Sequence, residues 1–224
     1  MSRPDNHADD SFAAERERMV AQQIEARGIA DARVLAALRA VPREAFVPAV
    51  ERAFAYEDHP LPIGAGQTIS QPYIVALTSA GLGLRGGERV LEIGTGCGYA
   101  AAVLGQIAAE VHSVERIESL AAQAREHLAG LGIANVHVHC ADGSLGWPAA
   151  APYDAIAVTA AGPEIPAALK AQLAPGGRIV MPVGERHGHQ ALLRWSLGAD
   201  GREQVESLCD VRFVPLLGAQ GFLP

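Results

Sequence analysis

The stretch VLEIGTGCGY, residues 90–99, is a short apolar run that leads into three alternating glycines and then into a helix-forming segment. Glu115 closes the next apolar run, roughly twenty residues further along, where doubly wound folds place an acid that holds a ribose. The order of strand, glycine turn, helix, strand and acid predicts an α/β sheet with a nucleoside-cofactor site at its first strand.

The spacing of the glycines indicates which cofactor. A dinucleotide loop needs its third glycine where this chain has Tyr99, and here the third glycine is Gly98. This departure argues against a nicotinamide oxidoreductase. The pattern E-x-G-x-G-x-G resembles the S-adenosylmethionine loop of class I methyltransferases, where Cβ atoms would block the methionine part of the cofactor. We expect Glu92 to receive the cofactor's ammonium group, directly or through water; the alternative is a glycine-rich turn without a ligand.

Composition limits the classes of protein to consider. The 224 residues are 49% hydrophobic, enough for one large domain with a sizeable core. A net charge of −7 argues against a surface that coats nucleic acid. Three widely spaced cysteines favour free thiols in the cytoplasm. The polar N-terminus does not resemble a signal peptide, and no apolar run approaches the ~20 residues that span a bilayer.

The chain divides into three stretches. Residues 1–10 are expected to be a disordered tail, residues 11–80 to hold N-terminal helices and an acceptor or lid segment, and residues 81–224 to form the sheet core of the same single domain. One helix is expected from Asp10 or Ser11 to about Arg27, and Asp31 is expected to cap a second helix that ends before Pro42. Residues 48–66 are expected to be irregular, and such long loops are often functional.

From Arg89 onward, strand and helix patterns alternate, which predicts a mostly parallel sheet with helices on both faces. The last two strands have only a turn between them and should pair as an antiparallel edge hairpin. The predicted arrangement resembles the Rossmann-like, seven-stranded sheet of class I methyltransferases, here with an N-terminal helical appendage. The predicted strands are 89–93, 111–115, 136–140, 155–159, 178–183, 191–197 and 208–214, and the predicted helices are 99–108, 117–129 and 166–173.

Ligands of open α/β sheets lie beyond the carboxyl ends of the strands, where four candidates occur, the first being the Gly94–Gly98 loop. Glu115 can accept from both ribose hydroxyls, or can be an acid that favours a helix N-terminus. Asp142 can accept from the adenine amine, with Gly143 allowing close approach, or the pair can be an ordinary Asx-turn. Thr159 and the small residues after it leave room for a ligand and an acceptor.

A second dense segment, PLPIGAGQTISQPY at residues 60–73, precedes the first sheet strand. Its helix begins at Pro72, and Ser70 or Gln71 suits the cap position. The other interpretation makes residues 68–71 a lid across the cofactor, with the Ser70 hydroxyl directed at the acceptor. The residues alone leave both interpretations open.

The runs that extend beyond the glycine loop resemble one family closely. They are GQTISQP at 66–72, PYDAI at 152–156, VTAA at 158–161, PEIP at 163–166, QLAPGGR at 172–178, MPVG at 181–184 and FVPL at 213–216. In this order they are similar to the signature of protein-L-isoaspartate O-methyltransferases, from about Arg16 to Leu216. The resemblance implies methyl transfer from S-adenosylmethionine to the free α-carboxylate of L-isoaspartyl residues in damaged proteins. The ester then forms a succinimide that hydrolyses partly to aspartate.

The resemblance also implies roles for individual residues. The family's active-site serine corresponds to Ser70. Its cofactor contacts correspond to Thr68, Ile69, Gln71, Gly94, Thr95, Gly96, Cys97, Gly98, Glu115, Asp142, Gly143 and Thr159, beside Glu92. Cys97 stands where many relatives have serine. The C-terminal stretch after Leu216 lacks the polar residues that relatives often carry.

Two other functions stay open at this point. One keeps the cofactor but methylates aspartate of a dedicated peptide in natural-product biosynthesis, and the other is a non-catalytic S-adenosylmethionine-binding protein. The partners expected are isoaspartyl-containing proteins and peptides, with no nucleic acid, no membrane and a monomeric chain. No metal is expected, because His137 with His139 and His187 with His189 lack an evident third ligand. Arg178 and Arg186 are expected to lie on the solvated surface, and the alternative is that they attract an anionic peptide.

Overall fold

The computed structural model describes residues 6–198 and 200–223, with side chains from Ser11 onward. The helices of this described part are α1 Asn6–Arg18, α2 Ala32–Ala40, α3 Pro72–Leu82, α4 Tyr99–Gly105, α5 Glu118–Gly130 and α6 Ala167–Lys170. The strands are β1 Leu61–Gly64, β2 Gln67–Ile69, β3 Arg89–Ile93, β4 Glu110–Glu115, β5 Val136–Cys140, β6 Tyr153–Val158, β7 Leu173–Gly184, β8 Gln190–Leu197 and β9 Glu203–Val211.

Seven strands form one sheet in the order β5-β4-β3-β6-β7-β8-β9. The first five of these are parallel to their neighbours, and β8 and β9 are antiparallel. The predicted seven-stranded, mostly parallel sheet with an antiparallel edge hairpin is confirmed. Strand order reverses between β3 and β6, so a crevice opens beyond the carboxyl ends of these two strands.

The last strand differs from its predicted range of 208–214. β9 begins at Glu203, and the chain leaves the ladder after Val211 because the Gln190 side chain takes the amide of Phe213 and Pro215 has no N–H. The segment beyond β9 instead crosses the end of β6. Ala161 N–H donates to Val214 O (2.8 Å), and Leu216 N–H donates to Ala161 O (2.7 Å). The C-terminal segment therefore lies along the carboxyl edge of the sheet.

The N-terminal layer follows the predicted pattern only in part. Asp31 caps α2 as expected, since its Oδ1 accepts from the amide of Arg33 (2.9 Å). α1 begins at Asn6, inside the segment expected to be a disordered tail, whereas residues 1–5 lie outside the described residues. The regular helix does not reach Arg27; a wider π turn at residues 19–24 and a 3₁₀ turn at 25–27 replace it. Met19, Val20 and Ile24 are buried together in this wider turn.

The segment at residues 48–66 is more regular than expected. It contains a 3₁₀ turn at Ala49–Phe54 and the strand β1, which pairs with β2 around a turn at Ala65 and Gly66. Ile63 and Ile69 are buried in the main core, whereas Thr68 is exposed. The hairpin thus anchors one face in the protein and presents the residues between its buried anchors to the crevice.

Both faces of the central strands are covered by apolar side chains. Val90 and Ala155 belong to the cluster packed by the N-terminal helices, whereas Leu91, Ile93 and Ile156 belong to the opposite cluster. Such double burial explains why these strands are apolar runs rather than alternating patterns. Glu92 interrupts this apolar run on the face of Val90, and a buried carboxyl there needs a local explanation.

Candidate active site

The glycine loop joins β3 to α4 and adopts backbone angles that only glycine accepts readily. Gly94, Gly96 and Gly98 have φ of +94°, +54° and +93°. The space is equally restrictive, because a Cβ on Gly94 would collide with Thr159 Oγ1 and one on Gly98 would lie 3.3 Å from Ala124 Cβ. The loop is therefore fixed in one conformation, and no glycine side chain covers its backbone where it faces the crevice.

A buried hydroxyl chain lies under this loop. Thr95 Oγ1 lies 2.5 Å from Ser113 Oγ, which donates to Glu92 Oε2 at 2.5 Å. All three side chains are buried, so the chain links the loop rigidly to β3 and β4. Glu92 Oε1, by contrast, is buried and has no hydrogen-bond partner among the described residues.

Burial raises the pKa of Glu92 to about 8, although the hydrogen bond from Ser113 acts in the opposite direction. The nearby Glu115 carboxylate raises this pKa further. A cation next to Oε1 would satisfy the unpaired oxygen and would favour the ionised carboxylate. The side chain therefore fits the ammonium group of an amino-acid ligand.

Glu115 is held at the carboxyl end of β4 by two backbone amides. Gly96 N–H donates to Oε2 (2.9 Å), and Ile117 N–H donates to Oε1 (2.9 Å). Each oxygen keeps a further lone pair, and the side chain lines the cleft beyond the strand. This orientation lets the carboxylate accept hydrogen bonds from a pair of vicinal hydroxyls.

The Asp142 carboxylate already accepts three hydrogen bonds, so one lone pair of Oδ2 is left for its contact with an adenine amine, which stays a prediction. Oδ1 accepts from the amide (2.9 Å) and hydroxyl (2.7 Å) of Ser144, and Oδ2 accepts from the amide of Ala219 (2.8 Å). Burial alone would raise the pKa of Asp142, but these hydrogen bonds outweigh it and keep the pKa below its usual range. Asp142 is therefore an Asx-type turn residue that ties down the C-terminal segment, while Gly143 lines the cleft beside it.

Two neighbouring cavities occupy the carboxyl edge of the sheet. The cofactor cleft is lined by Gly94, Gly96, Glu115 and Gly143, and the acceptor cavity, of about 820 Å³, by Ser70 and Gln71. Both cavities share four residues of their walls, which are Thr68, Thr159, Val214 and Pro215. A ligand in one cavity therefore lies next to a ligand in the other.

Ser70 does not cap α3, so that interpretation is wrong. The cap position belongs to Gln71, and the Gln71 side chain donates to Asp58 Oδ2 (2.7 Å) rather than accepting from the helix. In the part of the chain that the structure describes, the Ser70 hydroxyl makes no hydrogen bond. It lines the acceptor cavity and also the small pocket that contains Glu92. The hydroxyl is thus free to bind an acceptor.

The sequence comparisons agree with this geometry. A family model described as protein-L-isoaspartate(D-aspartate) O-methyltransferase matches residues 14–221. The chain belongs to this family. The protein-L-isoaspartate O-methyltransferase 1 of Rhodopseudomonas palustris strain HaA2 is 62% identical over 95% of this chain and 86% of the relative. The corresponding enzyme 2 of Marinobacter nauticus is 60% identical over 92% of this chain and 94% of the relative.

One solved structure gives the same family, and a second shows the same fold. A protein-L-isoaspartate O-methyltransferase structure is 32% identical, with a TM-score of 0.83 over 92% of this chain and 67% of that chain. A Plasmodium falciparum β-aspartate methyltransferase in complex with S-adenosyl-L-homocysteine is 24% identical, with a TM-score of 0.76 over 90% of this chain and 98% of that chain. The second likeness shows the shared methyltransferase fold.

Several residues that the family signature marks are buried below the cleft rather than exposed in it. Ile69 packs in the main core, Thr95 belongs to the hydroxyl chain, and Gly98 lies against α5. Cys97 is also buried, and burial raises the pKa of its thiol to about 11. Because these residues pack below the cleft, their assignment as cofactor contacts stays a prediction.

Sequence reasoning missed several residues that line the two cavities. Arg116, directly after β4, and Leu216 and Leu217 near the C-terminus line the cofactor cleft. In the β7–β8 turn, His187 lines the acceptor cavity beside Arg186, for which attraction of an anionic peptide was one predicted role. The FVPL run at 213–216 was the available signal, because the family signature includes it. Its crossing of the sheet edge depends on tertiary hydrogen bonds to Ala161, which no local pattern shows.

Other candidates have structural roles. The Arg178 guanidinium donates to the carbonyls of Leu82 and Gly83 at the end of α3, so it caps a helix. His139 hydrogen-bonds His112 (3.0 Å between ring nitrogens) and stacks on Trp147 at 4.0 Å between ring centroids. Within residues 6–198 and 200–223, no group of three or more His, Cys, Asp or Glu side chains is arranged to hold a metal ion. In the same part of the chain, no helix has the length and apolarity to cross a bilayer.

Proposed function

We propose that this chain transfers a methyl group from S-adenosylmethionine to the α-carboxylate of L-isoaspartyl residues in proteins and peptides, which starts their repair to aspartate. The observation that carries the proposal is the shared wall of the two cavities. Thr68, Thr159, Val214 and Pro215 border both the cofactor cleft and the acceptor cavity. Donor and acceptor would therefore meet beside these residues, with Ser70 on the acceptor side.

The residues of the cleft fit S-adenosylmethionine. Glu115 has lone pairs left for the two ribose hydroxyls, and the unpaired Oε1 of Glu92 suits the cofactor's ammonium group. The glycine loop allows the backbone to approach the ligand closely. The bound cofactor supplies an electrophilic methyl carbon on a sulfonium. We therefore assign the side chain of Glu92 to the ammonium group of the cofactor and the side chain of Glu115 to its ribose hydroxyls.

The acceptor needs positioning rather than activation. A free carboxylic acid has an ordinary pKa of ~4, so the attacking oxygen is already ionised at neutral pH and no proton has to be removed. An oxygen lone pair forms the new O–C bond, and the electrons of the S–C bond stay on sulfur. Ser70 would donate its hydroxyl to one carboxylate oxygen and leave the other aligned for attack. The walls around Ser70 would keep water away from this oxygen.

We also propose that the protein acts as a single chain in the cytoplasm. Residues of one chain line both cavities, and all three cysteines are free thiols. Light scattering during gel filtration tests the first point; a mass of one chain is expected, and a stable dimer would contradict it.

The test of the proposed activity uses methyl-labelled S-adenosylmethionine and two peptides that differ only in an isoaspartyl or an aspartyl residue. We expect base-labile label in the isoaspartyl peptide alone. Equal labelling of both peptides would indicate a different carboxyl acceptor, and absence of label from both, with cofactor still bound, would indicate a binding protein. Either result would overturn the proposal.

A further inference from the structure

The part of the acceptor-cavity wall that the cofactor cleft does not share contains two arginines. Two segments form it, namely the β7–β8 turn with Arg186 and His187 and the end of β9 with Asp210 and Arg212. This local charge contrasts with the net charge of −7 of the whole chain. An arginine pair beside an acceptor cavity is unexpected on an acidic protein unless the acceptor carries negative charge.

A buried glutamine holds these two segments together. Gln190 is 2% exposed, and its Oε1 accepts from the amide of Phe213 (2.7 Å). Its Nε2 donates to Glu185 O (3.0 Å) and to Phe213 O (3.4 Å). The side-chain amide thus bridges the residues next to Arg186 with the residue after Arg212. The two arginines are consequently presented from a fixed backbone rather than from independent loops.

The two guanidinium groups are not neutralised by their surroundings. Among the described residues, neither Arg186 nor Arg212 has a carboxylate within ion-pair distance. Arg186 donates one N–H to Leu223 O (2.8 Å), and its Nε is buried without a partner in the described part of the chain. Asp210, the carboxylate of the same wall, is largely exposed and lies 3.0 Å from His189 Nε2. Asp210 therefore contacts a histidine rather than either guanidinium, so in the described part of the chain both arginines keep N–H donors without a carboxylate partner.

We propose that Arg212 and Arg186 form a second anion subsite, which binds a carboxylate of the acceptor peptide other than the one that is methylated. The subsite rests on the proposed function, since it selects among isoaspartyl acceptors. Guanidinium groups bind carboxylates through paired N–H donors, which suits an aspartate or glutamate side chain near the isoaspartyl residue or a free C-terminus of the peptide. The enzyme therefore prefers acidic isoaspartyl peptides.

The kinetic test compares isoaspartyl peptides that differ only by glutamate or glutamine at flanking positions, each made with a free or an amidated C-terminus. At low ionic strength, kcat/KM for the better carboxylate-bearing peptide should exceed that of its neutral partner by about fivefold, because exposed charge pairs contribute modestly. The glutamate series and the C-terminal series separate the two sources of the carboxylate. A ratio of one in both series would overturn the subsite.

The matched variants are Arg212→Gln and, as control, Arg202→Gln in the exposed β8–β9 turn away from the cavity. The ratio between paired peptides should fall toward one in Arg212→Gln and stay unchanged in Arg202→Gln. Because each ratio is taken within one variant, a general loss of activity cancels. Arg212→Glu should reverse the preference toward a lysine-flanked peptide. An acidic preference that persists in Arg212→Gln would contradict the assignment.

A binding measurement separates this subsite from the methyl transfer itself. The paired peptides of the kinetic test, each carrying a fluorescent label, are titrated in the presence of S-adenosylhomocysteine. The titration reports the carboxylate preference without turnover. A preference in binding together with no methylation would contradict the proposed function but support the subsite. Methylation of all isoaspartyl peptides without any preference in binding would support the proposed function and contradict the subsite.

Discussion

At the scale of single residues, the site combines a free hydroxyl with an unsatisfied buried carboxyl. Ser70 has no hydrogen-bond partner among the described residues, although it lines both the acceptor cavity and the pocket of Glu92. Glu92 uses only one of its oxygens, which accepts from Ser113. A buried oxygen left unpaired in this way costs free energy unless a ligand completes it, so Glu92 indicates binding. Ser70 is half-buried at the cavity surface, where its hydroxyl is accessible to a ligand.

Ser70→Ala should lower kcat by about tenfold or more, because one hydrogen bond to a charged acceptor is lost. The affinity for S-adenosylhomocysteine should change little, since the hydroxyl is assigned to the acceptor side. Steady-state kinetics and isothermal titration measure the two effects, with Ser207→Ala on the exposed part of β9 as control. Lost cofactor affinity at unchanged kcat would remove Ser70 from the acceptor side.

Glu92 should make the ligand-free protein less stable as the pH rises. Its folded pKa of about 8 lies above the ordinary value of 4.5, so the folded state holds a proton that the unfolded state has released between these values. The free energy of unfolding therefore falls through this pH window, by an amount on the order of a few kcal/mol. Glu92→Gln should remove this fall, whereas Glu118→Gln on the exposed start of α5 should retain it.

Urea unfolding at pH 5 and pH 8 measures this effect in the wild type and in both variants. Equal pH dependence in the wild type and Glu92→Gln would show that Glu92 is not protonated in the folded protein. Saturating S-adenosylhomocysteine should reduce the pH dependence of the wild type, because the ligand's ammonium favours the ionised carboxylate.

At the scale of elements, the glycine loop depends on backbone shape as much as on the absence of side chains. Gly94 has φ of +94°, and its missing Cβ leaves room for Thr159 Oγ1, which donates to Ile93 O (3.0 Å) and Gly94 O (2.7 Å). The loop therefore fastens the ends of β3 and β6 to each other at the point where strand order reverses.

Gly94→Ala should disrupt cofactor binding and cost more than about 1 kcal/mol of stability, because an L side chain is strained at this φ and collides with Thr159. Gly130→Ala at the end of α5, where a Cβ would meet no atom within 4 Å, serves as control and should not destabilise the protein. Thermal unfolding and titration with S-adenosylhomocysteine report both effects. Wild-type cofactor affinity in Gly94→Ala would contradict the role of the loop.

The elements also show what the sequence can predict. Strands β3 to β5 match their predicted ranges closely, because their apolar runs are bounded by glycine or charge. The first strand of the hairpin, Leu61–Gly64, lies in the stretch 48–66 that was expected to be irregular, since its prolines and glycines mask a pairing that is fixed by buried Leu61 and Ile69. Of the two cap candidates, Gln71 occupies the cap position and Ser70 does not, because α3 begins at Pro72 and the cap is the residue before it.

At the scale of the whole molecule, the sheet brings together residues that are distant in the chain. The order β5-β4-β3-β6-β7-β8-β9 places the glycine loop, Glu115 and Thr159 on one edge. The β1–β2 hairpin precedes the sheet, and the C-terminal segment follows it, yet Thr68 and Pro215 border the same two cavities. The glycine motif predicts the cofactor cleft from the sequence. The acceptor cavity depends on contacts between segments that are far apart in the chain, which the sequence does not show.

Ligand binding should therefore stabilise the whole domain rather than the loop alone. S-adenosylhomocysteine at 100 times its dissociation constant should add about 2.7 kcal/mol to the free energy of unfolding. Glu115→Ala should abolish most of this gain, because it removes the carboxylate that accepts from Gly96 and Ile117 and lines the cleft. Differential scanning calorimetry with and without ligand makes the comparison, and full stabilisation of Glu115→Ala would contradict the assigned cofactor cleft.

The most direct measurement is a crystal structure with S-adenosylhomocysteine and an isoaspartyl peptide bound together. We expect the ribose hydroxyls on Glu115, the ammonium on Glu92, and the peptide's α-carboxylate within hydrogen-bond distance of Ser70 Oγ. The sulfur should lie beside the wall that Thr68, Thr159, Val214 and Pro215 form between the cavities. A nucleoside bound away from Glu115, or an isoaspartyl carboxylate that does not contact Ser70, would contradict the account.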